Sequence, residues 1–182
     1  MNHLADSLIQ EFRQCLGIST LHLEVNARFG ADHQGGREAL RVASLRNPIW
    51  RTVSRSHCPS LGGFAASEDS HISVGFDIER RSRIQPHLVA RVCPDPQELT
   101  EAPSDALWAG KEAAFKALRG PRQPQVLSEI RLGFWQKWNS QIETFQMTQP
   151  TSSERPQGLG LIYRDPEHVF SIYVEFISPA QI

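Results

Sequence analysis

Lysine is scarce in this chain. Of nineteen basic residues only three are lysine (Lys111, Lys116 and Lys137), and no basic run is interleaved with aromatics. That argues against nucleic acid as a partner. Cysteine is scarcer than a disulfide framework needs: Cys15, Cys58 and Cys93 are odd in number and unpaired by spacing, so a reducing cytoplasm is expected. No Cys/His cluster has zinc-ligand spacing. No apolar run approaches the length of about 18 residues that crosses a bilayer. Met1–Gln14 also lacks the basic start and apolar stretch of a signal peptide, so no membrane partner is expected.

What is present is arginine, unevenly placed. The net charge is −1, yet residues 28–91 hold ten arginines against six acids, a local +4, while the rest carries nine basic and fourteen acidic residues, or −5. Such asymmetry points to an anionic partner for the middle segment, such as a phosphate-rich cofactor or an acidic protein surface. The same arginines also describe an ordinary solvated face.

At 182 residues the chain can bury one substantial core or two small halves. Leu4, Leu8, Ile9, Phe12 and Leu16 space an amphipathic helix that Gly17 stops. Thr20–Val25 alternates as a strand. A loop at Gly30–Gly36 leads to a helix over Arg37–Arg46, and strands follow near Gly63–Ser67 and Ser73–Glu79. Pro86–Val92 reads as a short helix. Beyond the helix that opens near Ser104, strands are expected at Glu129–Trp135, Gln141–Thr148, Gly158–Tyr163 and His168–Phe176, with a Pro/Ser-rich loop at Gln149–Gln157. Helices early and strands late give an α+β class.

Two elements carry the chemistry. In His71-Ile72-Ser73-Val74-Gly75-Phe76-Asp77-Ile78-Glu79 the apolar residues alternate with Ser73, Gly75, Asp77 and Glu79. Two carboxylates about 6.6 Å apart along a strand therefore share one face. That pattern alone also describes a strand with a solvated acidic face. In Trp108-Ala109-Gly110-Lys111-Glu112-Ala113-Ala114-Phe115-Lys116 the spacing is helical, with Ser104 as candidate N-cap and Gly120-Pro121 as candidate stop. Trp108, Glu112 and Lys116 fall on one stripe, and Leu107, Ala114, Phe115 and Leu118 supply the packed side. Three oxygen-donor acids beside two cations suit a Mg²⁺ site that holds a polyphosphate.

Together the elements resemble the 4′-phosphopantetheinyl transferase family, whose pattern is Gly-x-Asp-x-Glu followed by Trp-x-x-Lys-Glu-x-x-x-Lys. Ser56-His57-Cys58 ahead of Gly62-Gly63-Phe64 is similar to the family's Ser-His-Ser/Thr loop, and Gly36-Arg37-Glu38-Ala39-Leu40-Arg41 to the Gly-Arg-x-Ala-x-Arg helix of its larger members. The match covers residues 36–120. Three features depart from the pattern: Cys58 replaces the usual small hydroxyl after the histidine, Ala109-Gly110 sits where the helix usually carries a hydroxyl and a larger residue, and no Gly-Lys-Pro segment precedes the histidine loop.

The resemblance implies two related α+β halves with the site between them. Residues 1–80 would carry the histidine loop and the metal strand, and residues 81–182 the Trp-Lys-Glu helix and antiparallel strands, in one compact, monomeric unit. It implies transfer of the phosphopantetheine arm from coenzyme A to a serine of an apo acyl or peptidyl carrier protein, releasing adenosine 3′,5′-bisphosphate. Asp77, Glu79 and Glu112 would hold Mg²⁺. Glu112, directly or through a water, would take the serine proton, and Lys116 would stabilise charge at the reacting phosphate. Arg37, Arg41, His57 and Lys111 would contact the nucleotide phosphates. Two other readings stay open, a catalytically idle coenzyme A or carrier-protein binding module and a Mg²⁺-dependent phosphohydrolase. Arg80, Arg81 and Arg83, directly after the metal strand, are candidates for the carrier's acidic surface.

Overall fold

The computed structural model describes residues 2–119, 123–149 and 158–177, with side chains from Ile9 onward. Helix α1 (Asn2–Leu16) buries Ile9, Phe12 and Leu16 at helical spacing, and the chain leaves it through Gly17 at φ 67°, a backbone conformation that glycine adopts without strain. Strand β1 (Leu21–Asn26), helix α2 (Gly36–Leu45) and strands β2 (Thr52–His57) and β3 (Gly62–Ser67) follow. Then come β4 (Ile72–Arg80), α3 (Pro86–Val92), the single turn α4 (Glu98–Glu101), α5 (Ser104–Ala117), and β5 to β8 at Arg131–Lys137, Ile142–Gln149, Gly158–Arg164 and His168–Phe176.

The strands form two antiparallel sheets, one ordered β1-β3-β2 and the other β4-β8-β7-β6-β5. With α1 to α5 beside them, the described residues form an α+β fold. The boundary between sheets lies at the β3–β4 turn and not near residue 80, because β4 pairs along its whole length with β8, from Ile72 opposite Phe176 to Arg80 opposite His168. The acid-bearing strand is thus a strand of the C-terminal sheet. Among the described residues no helix is long and apolar enough to cross a membrane.

Strand β4 is buried on both faces. Ile72, Val74, Phe76 and Ile78 join one apolar cluster with Phe12, Leu21, Leu161 and Ile172. On the opposite face α5 lies so close that a Cβ at Gly75 would overlap the Ala113 carbonyl oxygen and the Ala117 amide. The contact face of α5 is built of Ala106, Ala109, Ala113, Ala114 and Ala117, all fully buried, which permits that approach. Ser73 donates to the Ala117 carbonyl at 2.6 Å and so ties strand to helix.

The junction between the two sheets is made by hydroxyls. Thr52 and Ser54 of β2 accept hydrogen bonds from the amides of Val74 (3.2 Å) and Phe76 (2.9 Å) on the β4 edge that β8 leaves free. Ser56 donates to Asp77 Oδ1 at 2.8 Å. A buried amide left unpaired costs about 1–3 kcal/mol. A row of buried hydroxyls therefore does there what a further backbone ladder would do. This strand was not expected from the sequence, since its alternating face is Thr-Ser-Ser and not apolar.

Several boundaries differ from expectation. Ser104 is the first helical residue of α5 and makes no side-chain cap; Pro103 flanks the helix, and Asp105 instead accepts from its neighbour Ala106 at 2.9 Å and from Arg81 at 2.5 Å. Strand β5 begins at Arg131, because Leu127–Glu129 forms a 3-10 turn. The expected stop at Gly120-Pro121 and most of the loop expected at Gln149–Gln157 lie outside the described residues.

Candidate functional site

The close crossing of α5 over β4 fixes what stands beside it. Ser73, Gly75, Asp77 and Glu79 alternate along the β4 face that α5 covers. Asp77, two residues beyond the glycine contact, is 2 % exposed, so the solvated-face reading fails for it. Its Oδ1 accepts from the Lys116 ammonium at 2.7 Å and from the Ser56 hydroxyl at 2.8 Å. Its Oδ2 is buried with no hydrogen-bond partner among the described residues, an arrangement that costs free energy unless something else meets that oxygen.

Lys116 is the hub. Besides Asp77 it reaches the Ser56 hydroxyl and the Phe76 carbonyl, each at 3.3 Å, and its ammonium lies 4.0 Å from Glu112 Oε2 one helical turn back. The carboxylates sense one another. Burial first, then the Asp77 charge, pushes Glu79 up to about 7, with Glu112 adding to the rise and Lys116 and Arg83 opposing it. Burial and Asp77 likewise push Glu112 up, against Lys116. Among the described residues no three His, Cys, Asp or Glu side chains stand at closed metal-ligating geometry. Asp77, Glu79 and Glu112 are neighbours around a lysine and not a formed cage.

His57, at the end of β2, is half-buried, and its imidazole is held below its usual range by burial, then by the nearby charges of Arg37 and Lys116. Arg37 at the start of α2 thus stands close enough to His57 for its charge to act there. Arg41 lies on the same helix, but Glu38 clasps it through two hydrogen bonds of 2.7 and 2.8 Å. Of the two arginines expected to grip phosphate, only Arg37 keeps its guanidinium free of an acid among the described residues.

Lys111 does not face the site. It is 0 % exposed and its ammonium lies 2.9 Å from Glu98, itself 1 % exposed, while also donating to the Ile130 carbonyl. Glu98 in turn accepts from the Leu132 amide at 3.0 Å. The pair locks α4, α5 and the start of β5 together, so the expected nucleotide contact from Lys111 is replaced by a structural one. Arg81 is similarly engaged with Asp105 and with the Asp165 carbonyl at 3.0 Å, which leaves Arg80 and Arg83 exposed, with Arg83 close enough to Glu79 for its charge to act there.

Two departures from the motif pattern have packing explanations. Cys58 is 2 % exposed within the apolar cluster under β4, so it acts as a small core residue. Gly110 faces Leu132 and the Phe145 ring closely enough that a Cβ would crowd Leu132. Sequence reasoning missed two polar residues here. Ser56 was read only as part of a loop. Arg119, whose Nη2 donates to the Val53 carbonyl at 2.6 Å, lies close enough to Arg55 that its pKa is lowered by burial and by that neighbouring charge. Neither carries a signal in a single sequence, since both depend on β2 lying beside β4 and α5.

The chain matches no protein-family model and no curated protein. The family resemblance therefore rests on the motifs and on the side chains they bring together.

Proposed function

We propose that this chain is a Mg²⁺-dependent transferase that moves the 4′-phosphopantetheine arm of coenzyme A onto a serine of an apo carrier protein. One observation carries the reading: Asp77 and Glu79 from β4 and Glu112 and Lys116 from α5 converge on one partly enclosed surface, with the buried Oδ2 of Asp77 unpartnered. The donors are all hard oxygens, which fits Mg²⁺. Asp77, Glu79 and Glu112 would hold the ion, which when bound supplies charge neutralisation on the pyrophosphate oxygens.

The chain's own residues account for the rest. The carrier serine Oγ bonds to the phosphorus that bears the pantetheine arm while the bond from that phosphorus to the bridging oxygen breaks. Adenosine 3′,5′-bisphosphate leaves with the electron pair, and the serine proton passes to the Glu112 carboxylate. Burial and the Asp77 charge, against Lys116, raise Glu112 above the ordinary carboxylate value, which makes it a stronger base than a free carboxylate. Lys116 is held only by oxygen acceptors, and a phosphate oxygen is an acceptor of the same kind. His57 and Arg37 supply hydrogen bonds and charge for the nucleotide phosphates.

A second reading, an idle binding module, is favoured by one observation: the Lys116 ammonium already neutralises Asp77 at 2.7 Å, as a resident cation would. The test is to incubate the protein with Mg²⁺, coenzyme A and an apo carrier protein and then to weigh the carrier. Gain of one arm supports the transferase. Binding without gain supports the module, and coenzyme A breakdown without transfer points to a phosphohydrolase.

A further inference from the structure

The carboxylate of Asp77 is used unequally. Both Ser56 and Lys116 meet Oδ1, and among the described residues no hydrogen-bond partner meets Oδ2. A carboxylate free to turn about its last torsion would share its donors between both oxygens. The Ser56 hydroxyl prevents this, because it comes from a different sheet and its strand is fixed in place by the Thr52 and Ser54 bonds to β4. Lys116 cannot do the same alone: it sits on a flexible four-carbon stem and spreads its donors over the Ser56 hydroxyl, the Phe76 carbonyl and Asp77.

We infer that Ser56 is a positioning residue for cation binding: its hydroxyl pins Oδ1 of Asp77 and thereby presents Oδ2 to the ion. The N-terminal sheet thus reaches the Asp77 carboxylate through the Ser56 side chain. The inference rests on the proposed reading of the acid site as a cation site, but not on the transfer reaction. Outer-shell hydrogen bonds to metal-ligating carboxylates typically change metal affinity roughly 10- to 100-fold when removed.

The experiment measures Mn²⁺ affinity, by electron paramagnetic resonance of the free ion, for the full chain and three variants, each with its melting temperature. Ser56→Ala is expected to weaken Mn²⁺ binding roughly 10- to 100-fold. Ser56→Thr, which keeps the hydroxyl, restores it to within a few-fold. Ser54→Ala, which removes a junction bond that does not touch Asp77, lowers the melting temperature and weakens Mn²⁺ binding far less than Ser56→Ala does. Should Ser56→Ala not fold, Ser56→Cys, of similar size and a far weaker donor, gives the same reading. Equal Mn²⁺ affinity in the wild type and Ser56→Ala overturns the inference, as does equal weakening by Ser54→Ala. A wild type that binds Mn²⁺ but leaves the carrier unmodified removes the transferase reading and keeps this one. A wild type that does not bind Mn²⁺ removes both.

Discussion

Lys111 and Lys116 stand five residues apart on α5, in one motif, with opposite fates. Lys111 is sealed in an ion pair with Glu98 where neither side chain is more than 1 % exposed. Lys116 is partly open and spreads its ammonium among the acids of β4 and α5. Five residues turn a helix through about 500°, or 140° beyond a full turn. One lysine therefore points towards α4 and β5, and the other towards the Asp77 face. The comparison teaches that the motif combines two jobs: Lys111 holds α5 in place, and Lys116 works at the surface that this placement creates.

The comparison breaks most visibly at the buried pair. Lys111→Met strands the Glu98 carboxylate, and removing one partner of a buried ion pair costs about 3–5 kcal/mol. Urea unfolding should show that loss, and Glu98→Leu added to Lys111→Met should recover most of it. Lys116→Met also takes the cation from buried Asp77, but Lys116 is partly open and Ser56 still donates to that carboxylate, so its stability loss should be clearly smaller while transfer is abolished. Equal stability losses from the two lysine variants would erase the distinction.

Asp77→Asn sharpens the other side. A neutral amide is a poorer ligand for a hard cation, so Mn²⁺ affinity should fall by more than the roughly 10- to 100-fold typical of outer-shell changes, with the fold intact by circular dichroism. Wild-type affinity in Asp77→Asn would remove that carboxylate from the site.

His57 is expected to contribute less. A hydrogen bond to a charged group is worth about 1.5–3 kcal/mol, so His57→Ala should lower kcat/KM for coenzyme A roughly 10- to 150-fold. The variant should respond little to loss of the 3′-phosphate in dephospho-coenzyme A. Equal penalties on both substrates would make His57 a structural residue. Its pH signature follows from its lowered pKa: the folded chain favours the neutral ring, so this stability is present above the unfolded value near 6.5 and is lost as pH falls below it. Because the raised Glu79 and Glu112 act in the opposite sense, the readout is a difference: on acidification the ligand-free wild type should lose stability relative to His57→Gln.

The smallest effect is expected at the rim. Arg80 and Arg83 are exposed and free of acid partners among the described residues, whereas Arg81 is held by Asp105. Replacing Arg80 and Arg83 together should raise KM for an acidic carrier and flatten its salt dependence, with coenzyme A affinity unchanged. An unchanged carrier KM returns them to the role of a solvated charge run.

Much of this division is written locally in the sequence, and some of it is not. The alternation of β4 and the helical stripe of Trp108, Glu112 and Lys116 can be read directly, and Gly17 marks the end of α1. Strand β2 is not legible, because its buried face is made of hydroxyls that satisfy β4 amides, a pairing that exists only once the sheets meet. The burial of Lys111 is hidden for a similar reason. Its partner Glu98 lies thirteen residues away on a single-turn helix with no periodicity to reveal it. Arg37 and Arg41 look equivalent at i and i+4, yet Glu38 captures only the second. Positions set by one element's period are legible, and those set by a partner from elsewhere in the chain are not.

The central claim is that Asp77, Glu79, Glu112 and Lys116 form a phosphopantetheine-transfer site. Its most direct test is the mass of an apo carrier protein after incubation with coenzyme A and Mg²⁺, using the wild type and Glu112→Gln side by side. The account predicts that the wild type adds one phosphopantetheine arm per carrier, and that Glu112→Gln, though folded, adds none in the same time. A carrier of unchanged mass with the wild type, or full modification by Glu112→Gln, would contradict it.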